Sequence, residues 1–390
     1  MHLPPALPVL ARGLRNYFDV LRSGDEDEQT IARTNPRLLR DFVLRTGIVN
    51  TGRALDYALA PGFRRVEVRA PVFVVAPPRS GTTLLYSLLA ADPRFLGPRL
   101  YESLMPSVTL LALAEGIAGV LTRMRGGAVT AGFNRWEERT FASTDPVHRI
   151  RYRELEEDTL LFDRHLTCPS AIRFFPRGAD LIALTHLDDR PPSARKTVME
   201  AYYRALQRLL YRAGAPTPTY LGKNVQSAGR IGSLLERFPD ARFVHIVRHP
   251  YEVLPSAVRM FVVSNYVGID AQRRPTMPLD NRQWRVYSDL VIDGFLRLLR
   301  WEQRLPAPQW ITVRFEDLIA DPRGTVADIY ERFGIDMSAA ASDAIATEAA
   351  RASQHRSRSK ERPTLRDLGL TREEVAERLR EVFDAYGLTA

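Results

Sequence analysis

The chain has 390 residues, 45% hydrophobic and 26% charged, enough to bury one large core or two modest ones and unlike a disordered composition. Its net charge of +9 and pI near 9.8 suit anionic partners: nucleotides, sulfated or phosphorylated molecules, anionic membrane or nucleic acid. One cysteine, Cys168, excludes an internal disulfide and fits a reducing compartment, so a soluble cytoplasmic protein is expected.

In chain order, residues 1 to about 66 read as helical and polar, broken at Gly24-Asp-Glu-Asp-Glu and at Pro36. They are expected to cap an α/β domain spanning 67–390. Met1-His-Leu-Pro-Pro lacks the charged start and long apolar core of a signal peptide, and no apolar run reaches the length of a membrane span. From Val72 the pattern changes. Strand-like runs at Val72–Ala76, Thr219–Leu221, Phe243–Val247 and Ile311–Phe315 alternate with helical stretches, which predicts a central, mainly parallel sheet with helices on both faces. Helices are expected at Ser227–Phe238, Tyr251–Val263, Gln283–Arg304, Gly324–Phe333 and Arg372–Tyr386. Residues 100–215 are richer in proline and weaker in period, as an acceptor-binding insertion would be. Within them Pro106–Leu121, interrupted by Glu115, Gly116 and Gly119, reads as a buried or pocket-lining helix, with an interfacial helix that meets lipid as the alternative.

Three strand ends carry polar groups. The first, Pro78-Arg79-Ser80-Gly81-Thr82-Thr83, joins a β-branched run to an amphipathic helix, an arrangement that aims backbone N–H groups at a tetrahedral anion. It is similar to a nucleotide P-loop, but Thr82 stands where the loop lysine belongs and Ala76 where its first glycine belongs. The cation is Arg79 instead. The second is Arg248-His249-Pro250, with Ser256 following in the next helix; both could meet one phosphate. The third is Gly222-Lys223-Asn224. Only Lys196, Lys223 and Lys360 are lysines, so a lysine at a strand end is a distinctive choice.

In this combination the chain resembles the sulfotransferases that use 3′-phosphoadenosine 5′-phosphosulfate. Pro78 to Thr83 match the family's 5′-phosphosulfate loop, and Arg248, Pro250 and Ser256 match its 3′-phosphate motif. Phe238-Pro-Asp-Ala-Arg-Phe-Val-His-Ile-Val-Arg-His-Pro-Tyr is close to wording common in bacterial members. Arg314-Phe315-Glu316-Asp317-Leu318 resembles the family's Tyr-Glu-Asp-Leu segment, with Phe315 replacing tyrosine. Arg79 places the chain with the branches, similar to the tyrosylprotein enzymes, whose loop carries arginine rather than lysine. The resemblance covers about residues 70–335 and implies a P-loop-like three-layer fold.

What it implies chemically is in-line sulfuryl transfer, with the bisphosphate of adenosine as product and no metal. Arg79, the loop and Lys223 would hold the sulfuryl group and the 5′-phosphate; Arg248 and Ser256 would hold the 3′-phosphate. The basic segment Arg356-Ser-Arg358-Ser-Lys360 either closes over that phosphate or is a solvated loop. The resemblance points to Glu102 as the base that takes the acceptor proton. Glu157, in Leu155-Glu-Glu-Asp158, is the second candidate, and His148, His165, His186, His245 and His249 stay open, His245 being placed in a strand. The expected acceptor is a small-molecule or glycolipid hydroxyl, with peripheral membrane contact and no nucleic acid. Competing readings are a P-loop kinase or NTPase and a non-catalytic protein that binds anions or nucleic acid; the missing loop lysine and the Arg248/Ser256 pair count against the first, and basic residues interleaved with acids count against the second.

Overall fold

The computed structural model describes residues 6–23, 26–142, 150–168, 175–265, 281–353 and 364–389. Among these residues five short strands form one sheet: β1 Val72–Val75, β2 Phe95–Leu96, β3 Thr219–Lys223, β4 Arg242–Val247 and β5 Trp310–Arg314. All pairs are parallel and the order is β2-β3-β1-β4-β5. The chain is thus α/β and P-loop-like, with helices on both faces of the sheet. Four of the strands fall where β-branched and aromatic runs predict them. The fifth, Phe95–Leu96, is too short to show an apolar period.

β1 is wholly buried because alternate side chains enter different cores. Phe73 and Val75 pack with Phe162, Leu206, Leu234 and Phe243, while Val72 and Val74 pack with Leu85, Val244, Val326 and Ile329. After β1 the chain builds β2 and β3 on one side and then crosses to β4 on the other, so the crevice at the carboxyl end of β1 is the ligand position of such a sheet.

A third core joins segments distant in sequence. Val9 and Phe42 pack with Val253, Phe261, Val291, Phe295, Leu368 and Phe383, which seats the N-terminal helices 7–22 and 26–59 on the helices that follow β4. Pro36 does not break the second of these as expected; it lies inside it. Interior proline costs about 3 kcal/mol, and buried anchors on either side, Ala32 and Phe42, offset it. The break expected at Gly24 falls outside the described residues.

Two expected helices are each split. Ser227–Phe238 becomes a 3-10 turn 227–229 and a helix 231–237, interrupted where Arg230 turns inward with its guanidinium 4.0 Å from the Phe162 ring centre. Arg372–Tyr386 becomes 372–378 and 380–386, with Leu379 fully buried at the joint.

Pro106–Leu121 lines a cavity at its start, through Pro106, Ser107 and Leu111, and departs from its expected burial beyond that. It forms helix 108–125, whose one buried residue is Leu111. Asp56 holds its start, accepting from Ser107 Oγ at 3.0 Å and from Thr109 N at 2.8 Å, and buried Arg208 donates to the same carboxylate at 2.7 Å. Beyond that anchor the helix projects along the surface into helix 127–141, which is why its apolar side chains stay exposed.

Candidate active site at the strand ends

The turn after β1 reverses within a few residues. Arg79 and Gly81 both adopt left-handed backbone, with φ 72° and 95°, before helix 82–90 begins. Such alternation curls N–H groups around a concavity, and the first N–H groups of the helix, without intrahelical partners, join them. Arginine pays for this conformation with about 1–2 kcal/mol; glycine does not. A Cβ at Gly81 would also stand 2.7 Å from Phe315 Cδ2. Ser80 is completely buried, and its Oγ has no hydrogen-bond partner among the described residues.

Arg248 reaches this turn from the end of β4. Its Nη1 donates to the Arg79 carbonyl at 2.9 Å, and its guanidinium lies 4.1 Å from the centre of the Phe315 ring. Arg79 Nε in turn donates to Ser256 Oγ at 3.1 Å. Phe315 therefore touches both halves of the site. Burial, and then the positive charge of Arg248, hold the Arg79 guanidinium pKa below its usual value. Glu252, one turn along the following helix, pairs with Arg248; Nε to Oε2 is 3.1 Å.

Lys223 ends β3 opposite Val74. Its side chain is 2% exposed, and Nζ lies 3.3 Å from both Thr83 Oγ1 and Glu157 Oε1. The position is held from behind. Asp158 N donates to the Lys223 carbonyl at 3.2 Å, while the Asp158 carboxylate accepts from Tyr202, from Tyr220 at 3.1 Å and from Asn224 at 2.8 Å. Burial raises the pKa of that carboxyl, and these donors oppose the rise. Sequence reasoning missed Asp158, which reads only as part of an acidic run; its tyrosine partners lie 44 and 62 residues away, beyond any local signal.

The two carboxylate candidates follow segments that run side by side. Residues 152–156 run beside 98–101, with Tyr101 N donating to Tyr152 O at 3.1 Å and Glu156 N to Pro98 O at 3.0 Å. Glu157 therefore meets Lys223. Glu102 sits in helix 100–104, where Oε2 accepts from Arg99 N at 2.8 Å, and it lines a small cavity with Pro98, Pro106, Leu111, Leu161 and Leu209 on its apolar walls and Ser107, Arg208 and Arg212 beside them. Burial pushes its pKa up, against the pull of the Arg99 amide and of the Arg99 and Arg212 charges.

Among the described residues no histidine is hydrogen-bonded to Arg79, Lys223, Arg248 or Ser256. His245 is buried within β4; His249 Nε2 lies 2.9 Å from Thr389 O. His165 is brought to a pKa of about 4 by burial and then by Arg164. His186 lies near Asp189 and Asp293, beside a cavity of about 30 Å³ bordered by Pro77 and Pro78. His148, Arg356 and Arg358 are outside the described residues.

Residues 71–339 match the model of the sulfotransferase family. The chain belongs to that family. Among the similar relatives are the omega-hydroxy-beta-dihydromenaquinone-9 sulfotransferases Stf3 of Mycobacterium bovis and Mycobacterium tuberculosis, each 28% identical over 269 residues, 68% of this chain and 63% of the relative. The match thus spans somewhat less than two thirds of those relatives' length. Two solved sulfotransferases share the fold. STF1 of M. tuberculosis has a TM-score of 0.66 at 21% identity, covering 95% of this chain and 92% of its own. STF9 of Mycobacterium avium has a TM-score of 0.69 at 19% identity, covering 96% of each chain. Among the described residues of this sulfotransferase-family chain, no helix is long and apolar enough to cross a membrane.

Proposed function

We propose that this protein transfers a sulfuryl group from 3′-phosphoadenosine 5′-phosphosulfate to a hydroxyl acceptor, and that it belongs with the arginine-loop branch. The observation that carries the reading is the coupling of Arg79 to Arg248 and Ser256. Two guanidiniums brought together in a partly buried pocket repel one another, and an anion there relieves the repulsion. The buried Ser80 hydroxyl, the paired left-handed turn and the helix start supply neutral donors beside them. This donor set fits a phosphosulfate at residues 78–83 and a 3′-phosphate at Arg248 and Ser256, with Phe315 flanking both.

The donor supplies an activated sulfuryl group whose bond to the 5′-phosphate breaks as the acceptor oxygen bonds to sulfur. Lys223 and Arg79 neutralise the charge that builds on the leaving phosphate. The acceptor proton passes to a carboxylate. Glu102 is the base in this reading, because its desolvated carboxyl has a raised pKa and lines this cavity. Glu157 is already engaged by Lys223 and holds that ammonium in place. The cavity's proline and leucine walls, with Ser107, Arg208 and Arg212 beside them, favour an alcohol with both an apolar body and polar groups, and the hydroxylated menaquinone named for Stf3 also joins a hydroxyl to an apolar body.

Thermal unfolding with nucleotides tests the donor. Saturating adenosine 3′,5′-bisphosphate is expected to stabilise the protein by about 3 kcal/mol at a hundredfold excess over Kd, with little effect of ATP and magnesium. The opposite ranking would favour a kinase or NTPase. Transfer of radiolabelled sulfate from the donor to acceptors in a lysate tests the reaction itself.

A further inference from the structure

Helix 108–125 carries Leu113, Ile117, Val120, Leu121 and Met124 at 58, 52, 53, 41 and 75% exposure. At about 100° per residue these five fall within an arc of roughly 100°, so they form one stripe. Arg123 and Arg125, both exposed, flank the arc on its two sides. Glu115 lies opposite the stripe and is paired with Arg212 at 2.6 Å. The outer face of the helix is therefore apolar along its centre and cationic at its edges.

We propose that this face docks on an anionic phospholipid bilayer, with the helix lying in the plane of the interface. The charge pattern selects this occupant. Long arginine side chains beside an apolar stripe can lay their stems along acyl chains while their guanidiniums reach phosphates. A second copy of the chain would bring four such arginines to an interface where the helix's one carboxylate is already paired. Leu111, on the inner side of the same helix, lines the cavity beside Glu102, so docking would leave that cavity behind the helix, about one helix diameter (~10 Å) from the lipid surface. The docking itself does not depend on the reaction proposed above.

Flotation of the full chain with vesicles tests it, comparing phosphatidylcholine alone with an equimolar mixture of phosphatidylcholine and phosphatidylglycerol. Binding is expected to the mixed vesicles and to weaken with salt. Charge reversal of Arg123→Glu and Arg125→Glu should lower partitioning about fivefold per arginine removed. Ile117→Asp with Met124→Asp should lower it at least about tenfold. Circular dichroism checks that each variant remains folded, and Leu113→Ser serves as a second probe of the stripe. Failure of the wild-type chain to float with mixed vesicles overturns the proposal. So does equal binding to neutral vesicles, or a wild-type dimer in sedimentation that Ile117→Asp converts to monomer.

Discussion

The strand-end site and helix 108–125 invert the usual distribution of side chains in opposite ways. The site takes cations out of water: Lys223 is almost fully buried and Arg79 partly so. The helix leaves leucine, isoleucine and methionine in water. Each arrangement carries a cost: burial of the cations is offset in part by Glu157 at Lys223 and Glu252 at Arg248, whereas an exposed apolar stripe wants cover. On the readings proposed above, an anion completes the first region and an apolar surface the second.

The sharpest break of this comparison is at Lys223. Lys223→Met is expected to lower kcat for sulfuryl transfer by about 10²–10³ while leaving Glu157 without its cation; Lys223→Met with Glu157→Gln should restore thermal stability but not turnover, as single-turnover kinetics and melting curves would show. Next is the acid limb of the pH–rate profile. A general base works deprotonated, and burial raises the Glu102 pKa, so kcat/KM should fall with decreasing pH through a value above the ordinary carboxylate range. Glu102→Gln should remove that limb and most of the rate, whereas Glu157→Gln should leave the limb in place; the reverse result would move the base to Glu157. The smallest effects are on stability. Gly81→Ala should cost about 1–3 kcal/mol, because its backbone is left-handed and Phe315 stands in the way. Ile117→Ser on the exposed helix should change it by less than about 0.5 kcal/mol. Chemical denaturation of the pair sharpens the contrast between a strained, crowded turn and an open face.

Local pattern was a good guide to backbone and a poor one to cover. The run Val72–Val75 is apolar at every position, so a doubly covered strand followed from it, and the small-residue turn after it marked the anion loop. The same reasoning takes Pro106–Leu121 as buried or pocket-lining, with an interfacial helix as the alternative. Its start lines a cavity and the rest stays exposed, since hydrophobicity reports what a segment would gain from cover and not whether another element supplies it. Pro36 was read as a break because proline weakens a helix locally; packing at Ala32 and Phe42 carried the helix through.

The chain's own letters determined four of the five described strands, the loop at 78–83, Arg248 and Lys223 as polar groups at strand ends, and Ser256 in the helix after one of them. These follow from short-range rules of period, turn chemistry and residue spacing. Only the tertiary structure decided that Arg248 would clasp the Arg79 carbonyl, that Glu157 and Thr83 would meet on Lys223, and that Asp158 would be held by Tyr202 and Tyr220. Those contacts join residues 44 to 169 positions apart. Parallel strand order, which sets such neighbours, is a property of the folded sheet rather than of any segment within it.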